Sequence, residues 1–305
     1  MHGAVLCQQG TLRMMTRRSA AYNMHRNLGN ATAMDDDHGS DEWPGPEMKE
    51  VSAIAGDPKQ SHDGSWVQAP SMPALTTNCV DVWRVRLDEP EKAGSEAGVL
   101  SPDEIARAGR FHFEEDRIHF TRCRFALRGV LSAYLAIPAP AIRLEYPASG
   151  KPQLEGRKNH CTLQFNVSHS ANMALIAVAS EHRLGVDIEK IRGDVDTSSL
   201  AERFFSIRER AGLQALPEHL RVPGFFACWT RKEAFLKATG DGLSFPLADF
   251  SVTTHPDLSP ELEEIRGNTE ARKQWFLADL SVVGGFRATL AIDRCSCRVK
   301  TYSWN

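Results

Sequence analysis

Three short β-rich runs follow one another between residues 161 and 189 of the 305-residue chain, and they constrain its fold more than any other feature. The runs span 161–168, 173–180 and 184–189. Strands in such quick succession predict a meander of neighbouring antiparallel strands. Helical patterns precede and follow them, and further strands complete the chain. This order predicts an α+β protein with mostly antiparallel pairing.

Helix-start residues and apolar spacing predict the helices. Ser101 is a candidate N-cap, with Pro102 at the first helical position and acidic residues in the first turn. Apolar residues at three- and four-residue spacing predict a long helix over 114–137. Two further helices are expected over 197–215 and 222–239.

The chain divides into an N-terminal extension and two halves that share one element order. Residues 1–75 show no sustained apolar periodicity and contain Gly, Pro, Ser and acidic runs, so they are predicted to be a disordered extension. Helices are followed by strands in both 76–183 and 184–305. The order therefore suggests two similar α+β halves.

The formal net charge of −3 comes entirely from the extension. Residues 1–34 carry four arginines and no acid, whereas residues 35–63 carry nine acids and two lysines. Residues 64–305 are therefore neutral in total, which argues against a broadly basic nucleic-acid binder. No apolar run approaches the ~18–20 residues that a membrane span needs. A cytoplasmic protein without nucleic-acid or membrane partners is predicted.

The sharpest local pattern is the run of residues 185–189. In a strand, Val186 and Ile188 point to one face while Asp187 and Glu189 point to the other. Two carboxylates at this spacing repel each other unless a cation lies between them, and they suit chelation of one hard metal ion. For this run taken alone, an exposed polar strand face is the simpler explanation.

A second pattern lies on the last predicted helix. Trp229, Glu233 and Lys237 recur at four-residue spacing along one helix face. A Glu–Lys pair at this spacing is commonly a surface ion pair, but its mixture with aromatic and aliphatic residues indicates a partly buried face. There Glu233 could complete a metal site and Lys237 could neutralise a phosphate.

The third pattern is the strand 163–170. Leu163, Phe165 and Val167 alternate as a core-facing set, and small or polar residues end the strand. Ser168 and His169 could hold a phosphate oxygen, although a histidine at a strand end is often purely structural.

Four segments in order resemble the 4′-phosphopantetheinyl transferases of the Sfp type, specifically the branch with a Trp and a Lys-Glu-Ala motif. They are Gly150–Pro152, Phe165–Ser170, Gly185–Glu189 and Trp229–Gly240, and the likeness covers about residues 78–292. The resemblance implies a pseudo-dimer of two similar α+β halves with the active site in the cleft between them. It also implies transfer of the phosphopantetheine arm of coenzyme A to a serine of an apo acyl or peptidyl carrier protein.

The resemblance implies a role for each carboxylate. Asp187, Glu189 and Glu233 match the family's metal ligands, and oxygen-only ligation points to Mg²⁺ with Mn²⁺ as a substitute. Glu233 is also the candidate general base, directly or through water. Lys237 matches the lysine that contacts the phosphates and stabilises charge on the leaving adenosine 3′,5′-bisphosphate.

The resemblance also implies the nucleotide contacts of coenzyme A. Lys151 matches the lysine of the Gly-Lys-Pro turn, and Arg107 aligns with a basic position that serves the nucleotide. Asn166, Ser168 and His169 match the segment that lines the adenosine 3′-phosphate site.

Several alternatives stay open at this level. Arg124 and Arg128 are either further phosphate contacts or solvated helix arginines. A Mg²⁺-dependent hydrolase of coenzyme A, or a non-catalytic module that binds coenzyme A or a carrier, would use the same charged residues. Likeness to single-chain pseudo-dimers favours a monomer.

Overall fold

The structure is a computed structural model that describes residues 65–71, 73–89, 98–147, 150–155, 162–240 and 245–304. Within those ranges the helices are α1 Pro102–Ala108, α2 Glu114–Leu135, α3 Thr197–Phe204, α4 Ile207–Ala215 and α5 Glu218–Thr239. The strands are β1 Val67–Gln68, β2 Cys79–Arg86, β3 Leu144–Glu145, β4 Gln153–Leu154, β5 Leu163–Ser170, β6 Met173–Ser180, β7 Leu184–Lys190, β8 Phe250–Val252, β9 Leu262–Ile265, β10 Phe276–Asp279, β11 Phe286–Ile292 and β12 Arg298–Trp304.

Two larger sheets organise the fold. One has the order β1-β12-β2-β6-β5 and the other the order β10-β11-β7, and two-stranded sheets join β3 to β4 and β8 to β9. Strand β12 is parallel to β1 and β2, while the other pairs are antiparallel. The predicted α+β class with mostly antiparallel pairing is confirmed.

The predicted meander is wrong at its third strand. β5 and β6 pair with each other, but β7 leaves that sheet and pairs with β11 instead. The physical reason is the apolar face of β7. Val186 and Ile188 on that face pack face to face against the larger sheet in one buried cluster. In a meander, β7 would instead lie beside β6 in the same sheet.

Three buried clusters show how these layers pack. α2 packs on one face of the larger sheet through residues such as Leu127 and Val130. The opposite face of that sheet packs on the smaller sheet, where Val82 and Leu290 belong to the same cluster. α5 covers the outer face of the smaller sheet together with α3 and α4. The sequence of layers is therefore helix, sheet, sheet, helix.

The helix predictions agree with the structure except at one break. α1 begins with a capping box between Ser101 and Glu104, as the Ser-Pro start predicts. Gly240 ends α5 with a left-handed φ of 82°. The single helix expected over 197–215 is two helices, because Ser206 caps a new start and accepts a hydrogen bond from the Glu209 backbone N–H.

The extension predicted over 1–75 reaches too far into the fold. Residues 1–64 lie outside the described residues, but β1 pairs with β12 within the predicted extension. Trp66 packs beside the core between the two sheets, and Leu75 packs against the cluster under α2. Those few apolar residues are too short a run to show periodicity. Over the part of the chain that the structure describes, no helix is long and apolar enough to cross a bilayer.

Candidate active site

The strand β7 carries the two carboxylates of the candidate site on one face. Asp187 and Glu189 are only 3% and 5% exposed, respectively. Val186 and Ile188 point to the opposite face and are fully buried in the core between the sheets. The alternation predicted from the sequence is therefore present, and it turns both acids away from the apolar core toward α5 and β5.

The helix α5 brings Glu233 and Lys237 against β7, one turn apart. The close approach depends on Gly185, where a Cβ atom would lie 2.5 Å from the Ala238 backbone nitrogen. Glu233 is buried, and the Lys237 ammonium donates hydrogen bonds to Asp187 Oδ1 at 2.6 Å. The helix and the strand thus place three buried carboxylates and one cation on the facing sides of α5 and β7.

Burial and mutual repulsion shift the ionisation of these groups. Burial, reinforced by the Asp187 charge, raises the pKa of Glu189 to about 8. Burial also raises the pKa of Asp187, although the Lys237 ammonium opposes that effect. Burial alone would lower the pKa of Lys237, but the Asp187 and Glu233 charges outweigh it and raise that pKa. The site therefore favours an additional positive charge.

The residues present fit a divalent metal ion. Asp187 Oδ2 is buried and has no hydrogen-bond partner among the described residues, although its neighbour Oδ1 has two. A buried anionic oxygen of this kind is costly unless a cation or a donor contacts it. Across the described residues, no three His, Cys, Asp or Glu side chains already converge as the ligands of one ion. The cation that contacts Asp187 in this structure is the Lys237 ammonium.

The strand β5 divides its predicted phosphate residues between two faces. Asn166 and Ser168 face β7, where Ser168 Oγ donates to Asp187 Oδ1 at 2.9 Å and accepts from Lys237 Nζ at 2.9 Å. His169 lies on the other face, which Val167 shares, toward α2. The sequence prediction that Asn166, Ser168 and His169 line one site does not hold as a single cluster, because neighbouring residues of a strand point in opposite directions.

Two arginines lie close to Phe120 of α2, on the side of β5 that His169 faces. Arg124 is 4% exposed, lies over the Phe120 ring at 5.4 Å, and its Nη1 has no hydrogen-bond partner among the described residues. Arg107 lies over the same ring at 5.3 Å. Burial, followed by the charges of Lys237 and Arg124, lowers the pKa of His169 to about 4. The imidazole is therefore neutral at neutral pH, within reach of the Arg124 charge.

Lys151 connects β7 with α5 by donating hydrogen bonds to backbone carbonyls of both elements. Its ammonium donates to the carbonyl oxygens of Leu184 and Lys237, each at 2.8 Å. The Lys237 carbonyl belongs to the last turn of α5, where a cation interacts favourably with the helix dipole. The lysine of the Gly-Lys-Pro turn therefore ties the C-terminal end of α5 to the start of β7.

Two buried basic residues, one on α2 and one on α5, are structural. Arg128 is buried and donates to Glu104 at 2.6 Å and to the carbonyls of Ala139 and Ile142, so it is neither a solvated arginine nor placed for a phosphate. Lys232 precedes Glu233 in the chain but donates to both carboxylate oxygens of Glu209. Residue type alone could not separate these two from ligand-binding cations.

Two family models match consecutive segments of the chain. A model of the 4′-phosphopantetheinyl transferase superfamily matches residues 183–291, and one of the N-terminal part of 4′-phosphopantetheinyl transferases matches residues 89–182. The chain is 43% identical over 200 residues to the 4′-phosphopantetheinyl transferase HetI of Nostoc sp. (strain PCC 7120 / SAG 25.82 / UTEX 2576), covering 65% of this chain and 84% of the relative.

Two more distant relatives carry similar names. The 4′-phosphopantetheinyl transferase Sfp of Bacillus subtilis (strain 168) is 32% identical over 164 residues, which are 54% of this chain and 70% of that protein. The human L-aminoadipate-semialdehyde dehydrogenase-phosphopantetheinyl transferase is 30% identical over 189 residues, covering 58% and 61% of the two chains. The chain belongs to the 4′-phosphopantetheinyl transferase superfamily. It is a transferase that uses coenzyme A as substrate.

Proposed function

We propose that this enzyme moves the 4′-phosphopantetheine arm of coenzyme A to a serine of an apo acyl or peptidyl carrier protein. The observation that carries the proposal is the convergence of Lys237 on Asp187, with Glu189 and Glu233 beside them. A diphosphate substrate needs cations for its charge and carboxylates for a divalent ion, and this site has both.

We propose Asp187, Glu189 and Glu233 as the protein ligands of Mg²⁺, with Mn²⁺ as a substitute. Carboxylate oxygens are the donors that these ions prefer. Bound there, the ion would neutralise the pyrophosphate and make its phosphorus more electrophilic. Support comes from the buried Asp187 Oδ2 and from the raised pKa of Glu189, because both indicate a site that lacks positive charge.

The proposed reaction is one displacement at the phosphorus that carries the pantetheine arm. Glu233 removes the proton of the carrier serine, directly or through a water molecule. The serine oxygen bonds to phosphorus while the bond from phosphorus to the bridging oxygen breaks. The bridging oxygen keeps the electron pair and leaves with adenosine 3′,5′-bisphosphate. Lys237 stabilises the charge that develops on this leaving group.

The nucleotide end of coenzyme A is proposed to lie on the α2 side of β5. There Arg107, Arg124 and His169 are the proposed contacts of the 3′-phosphate, and the buried Arg124 Nη1 without a hydrogen-bond partner among the described residues supports this placement. Lys151 and Asn166 were also expected there. Both already bond to backbone groups of β7, so their proposed contribution is to hold that strand.

The test is the intact mass of an apo carrier protein after incubation with coenzyme A and Mg²⁺. The wild-type enzyme should add one phosphopantetheine, and Glu233→Gln should not. Glu218→Gln is the matched control, because Glu218 is an exposed residue of the same helix. A panel of acyl and peptidyl carriers that stays unmodified by the wild type would contradict the proposal.

The same assay separates the other candidates. Loss of coenzyme A without a carrier present would indicate a hydrolase. Binding of coenzyme A without turnover would indicate a non-catalytic module. We further propose that residues 76–183 and 184–305 act as the two halves of one active site and that the chain works as a monomer in the cytoplasm. Measuring the molecular mass of the active enzyme in solution tests the proposal that it is a monomer.

A further inference from the structure

Alternate side chains of β5 form hydrogen bonds with the backbone of β7. The three bonds run from Val186 N to Asn166 Oδ1 at 2.8 Å, from Ile188 N to Ser168 Oγ at 3.4 Å and from Lys190 N to Ser170 Oγ at 3.1 Å. Each pair is separated by 20 residues. The two strands therefore run side by side in parallel, with side-chain oxygens where a sheet would use carbonyl oxygens.

This side-chain ladder, consisting of Asn166, Ser168 and Ser170, connects the edges of the two larger sheets. β5 is the last strand of the five-stranded sheet, and β7 is the last strand of the three-stranded sheet. A sheet edge presents unpaired backbone N–H groups that need acceptors. The ladder supplies those acceptors and sets the position of β7 along β5.

The serine hydroxyls of the ladder also contact the carboxylates. Ser170 Oγ donates to Glu189 Oε2 at 2.8 Å, just as Ser168 Oγ donates to Asp187 Oδ1. A serine hydroxyl has one proton to donate and can accept through its lone pairs. Because the Lys190 N–H takes up an acceptor position of Ser170, the hydroxyl proton is left for Glu189. A backbone N–H of β7 thus helps to orient the Ser170 hydroxyl so that it donates to Glu189, a carboxylate on the same strand.

We infer that Ser170 is a positioning residue that holds Glu189 in the orientation needed to ligate the divalent ion. The inference rests on the proposed function, because the ion is the one assigned to that reaction. Carboxylates that ligate metals are themselves held by hydrogen bonds, and loss of such a partner typically weakens metal affinity ~10- to 100-fold. Ser168 has the same relation to Asp187 but also contacts Lys237, so Ser170 offers the cleaner test.

The experiment compares Ser170→Ala and Ser170→Thr with the wild type in two assays. Mn²⁺ alone is titrated into each protein and the free ion is counted by electron paramagnetic resonance. The Mg²⁺ concentration for half-maximal transfer is measured separately. Ser170→Ala should weaken both by ~10- to 100-fold, while Ser170→Thr, which keeps the hydroxyl, should stay close to wild type. The KM for coenzyme A at saturating Mg²⁺ should change little.

Ser180→Ala is the matched control. Ser180 ends the neighbouring strand β6, and its hydroxyl pairs with that of Thr162 at 3.2 Å in an exposed position. This control should leave Mn²⁺ binding unchanged. Melting temperatures of all variants separate loss of the ion from loss of the fold.

Two results would overturn the inference. One is unchanged Mn²⁺ binding by Ser170→Ala, even if its melting temperature falls, because the hydroxyl would then be structural only. The other is equal weakening in Ser170→Ala and Ser170→Thr, because the hydroxyl would then not be the cause. A wild type that binds Mn²⁺ with the expected pattern but modifies no carrier would instead refute the proposed function and leave the positioning role standing.

Discussion

Replacing Lys232 with methionine should destabilise the fold strongly. The Lys232 ammonium donates to the two Glu209 oxygens at 2.7 and 2.8 Å and to the Phe250 carbonyl at 2.6 Å, and neither side chain of the ion pair is exposed. Glu209 also accepts hydrogen bonds from the backbone N–H groups of Ser206 and Val252, each at 2.9 Å. Those bonds hold the carboxylate in the interior, so Lys232→Met leaves a buried charge without its cation.

The expected loss of stability is that of breaking a buried ion pair, about 3–5 kcal/mol. For a fold of this size, each kcal/mol corresponds to about 2–4 °C, so the melting temperature should fall by about 6–20 °C. Urea unfolding followed by circular dichroism measures the free energy of unfolding directly. The second variant, Lys232→Met with Glu209→Gln, keeps the oxygen acceptor but removes the charge, and it should recover part of the loss.

Either of two results would refute this reasoning. Lys232→Met could unfold within about 1 kcal/mol of the wild type, which is the range of ordinary substitutions. It could also keep its stability and raise the KM for coenzyme A, in which case Lys232 is a ligand-binding residue. A double variant less stable than Lys232→Met would show that the uncompensated charge is not the cause.

Three further predictions concern the packing of α5 on β7, the ionisation of a buried aspartate and the proposed contact with the 3′-phosphate of coenzyme A. Gly185→Ala should lower both the melting temperature and the transfer rate, because its Cβ would collide with the backbone of α5, whereas Gly193→Ala has open space and should change neither. Burial raises the pKa of Asp81, which accepts a hydrogen bond from Tyr134, so the stability it contributes is present below pH 3.8 and is lost as the pH rises through the raised pKa. Asp81→Asn should therefore raise the melting temperature at neutral pH, by an amount that shrinks toward pH 3.8; a constant difference across the titration would contradict this. Arg124→Gln should raise the KM for coenzyme A more than that for 3′-dephospho-coenzyme A, and an equal effect on both would place Arg124 away from the 3′-phosphate.

Local patterns in the sequence were sufficient to predict most of the helices and strands. They also identified the charged segments that lie on β7 and α5. The alternation at 185–189 depends only on strand geometry, so the outward direction of Asp187 and Glu189 followed from their spacing. The same rule could have separated Ser168 from His169, since adjacent strand residues face opposite sides. The family resemblance assigns Asn166, Ser168 and His169 to one site as a single segment and so does not show that division.

Partners distant in the chain could not be derived in this way. Arg128 and Glu104 are 24 residues apart and Lys232 and Glu209 are 23 apart, and nothing in their local sequence shows that these pairs are buried. β7 pairs with β11 across about a hundred residues, so its departure from the predicted meander depends on which apolar faces meet. Long-range packing decides between alternatives that residue type leaves open.

The candidate site lies where the edge strands β5 and β7 of the two larger sheets meet, because each sheet contributes different groups to it. The carboxylates and Lys237 belong to the smaller sheet and its helix, whereas the hydroxyls that orient two of those carboxylates belong to the larger sheet. Arg124 belongs to α2, which packs on the larger sheet. The proposed metal ligands and the proposed nucleotide contacts are therefore kept in register by the side-chain ladder that joins the two sheets. For that reason a change that shifts β7 along β5 should weaken metal binding even when every proposed ligand is still present.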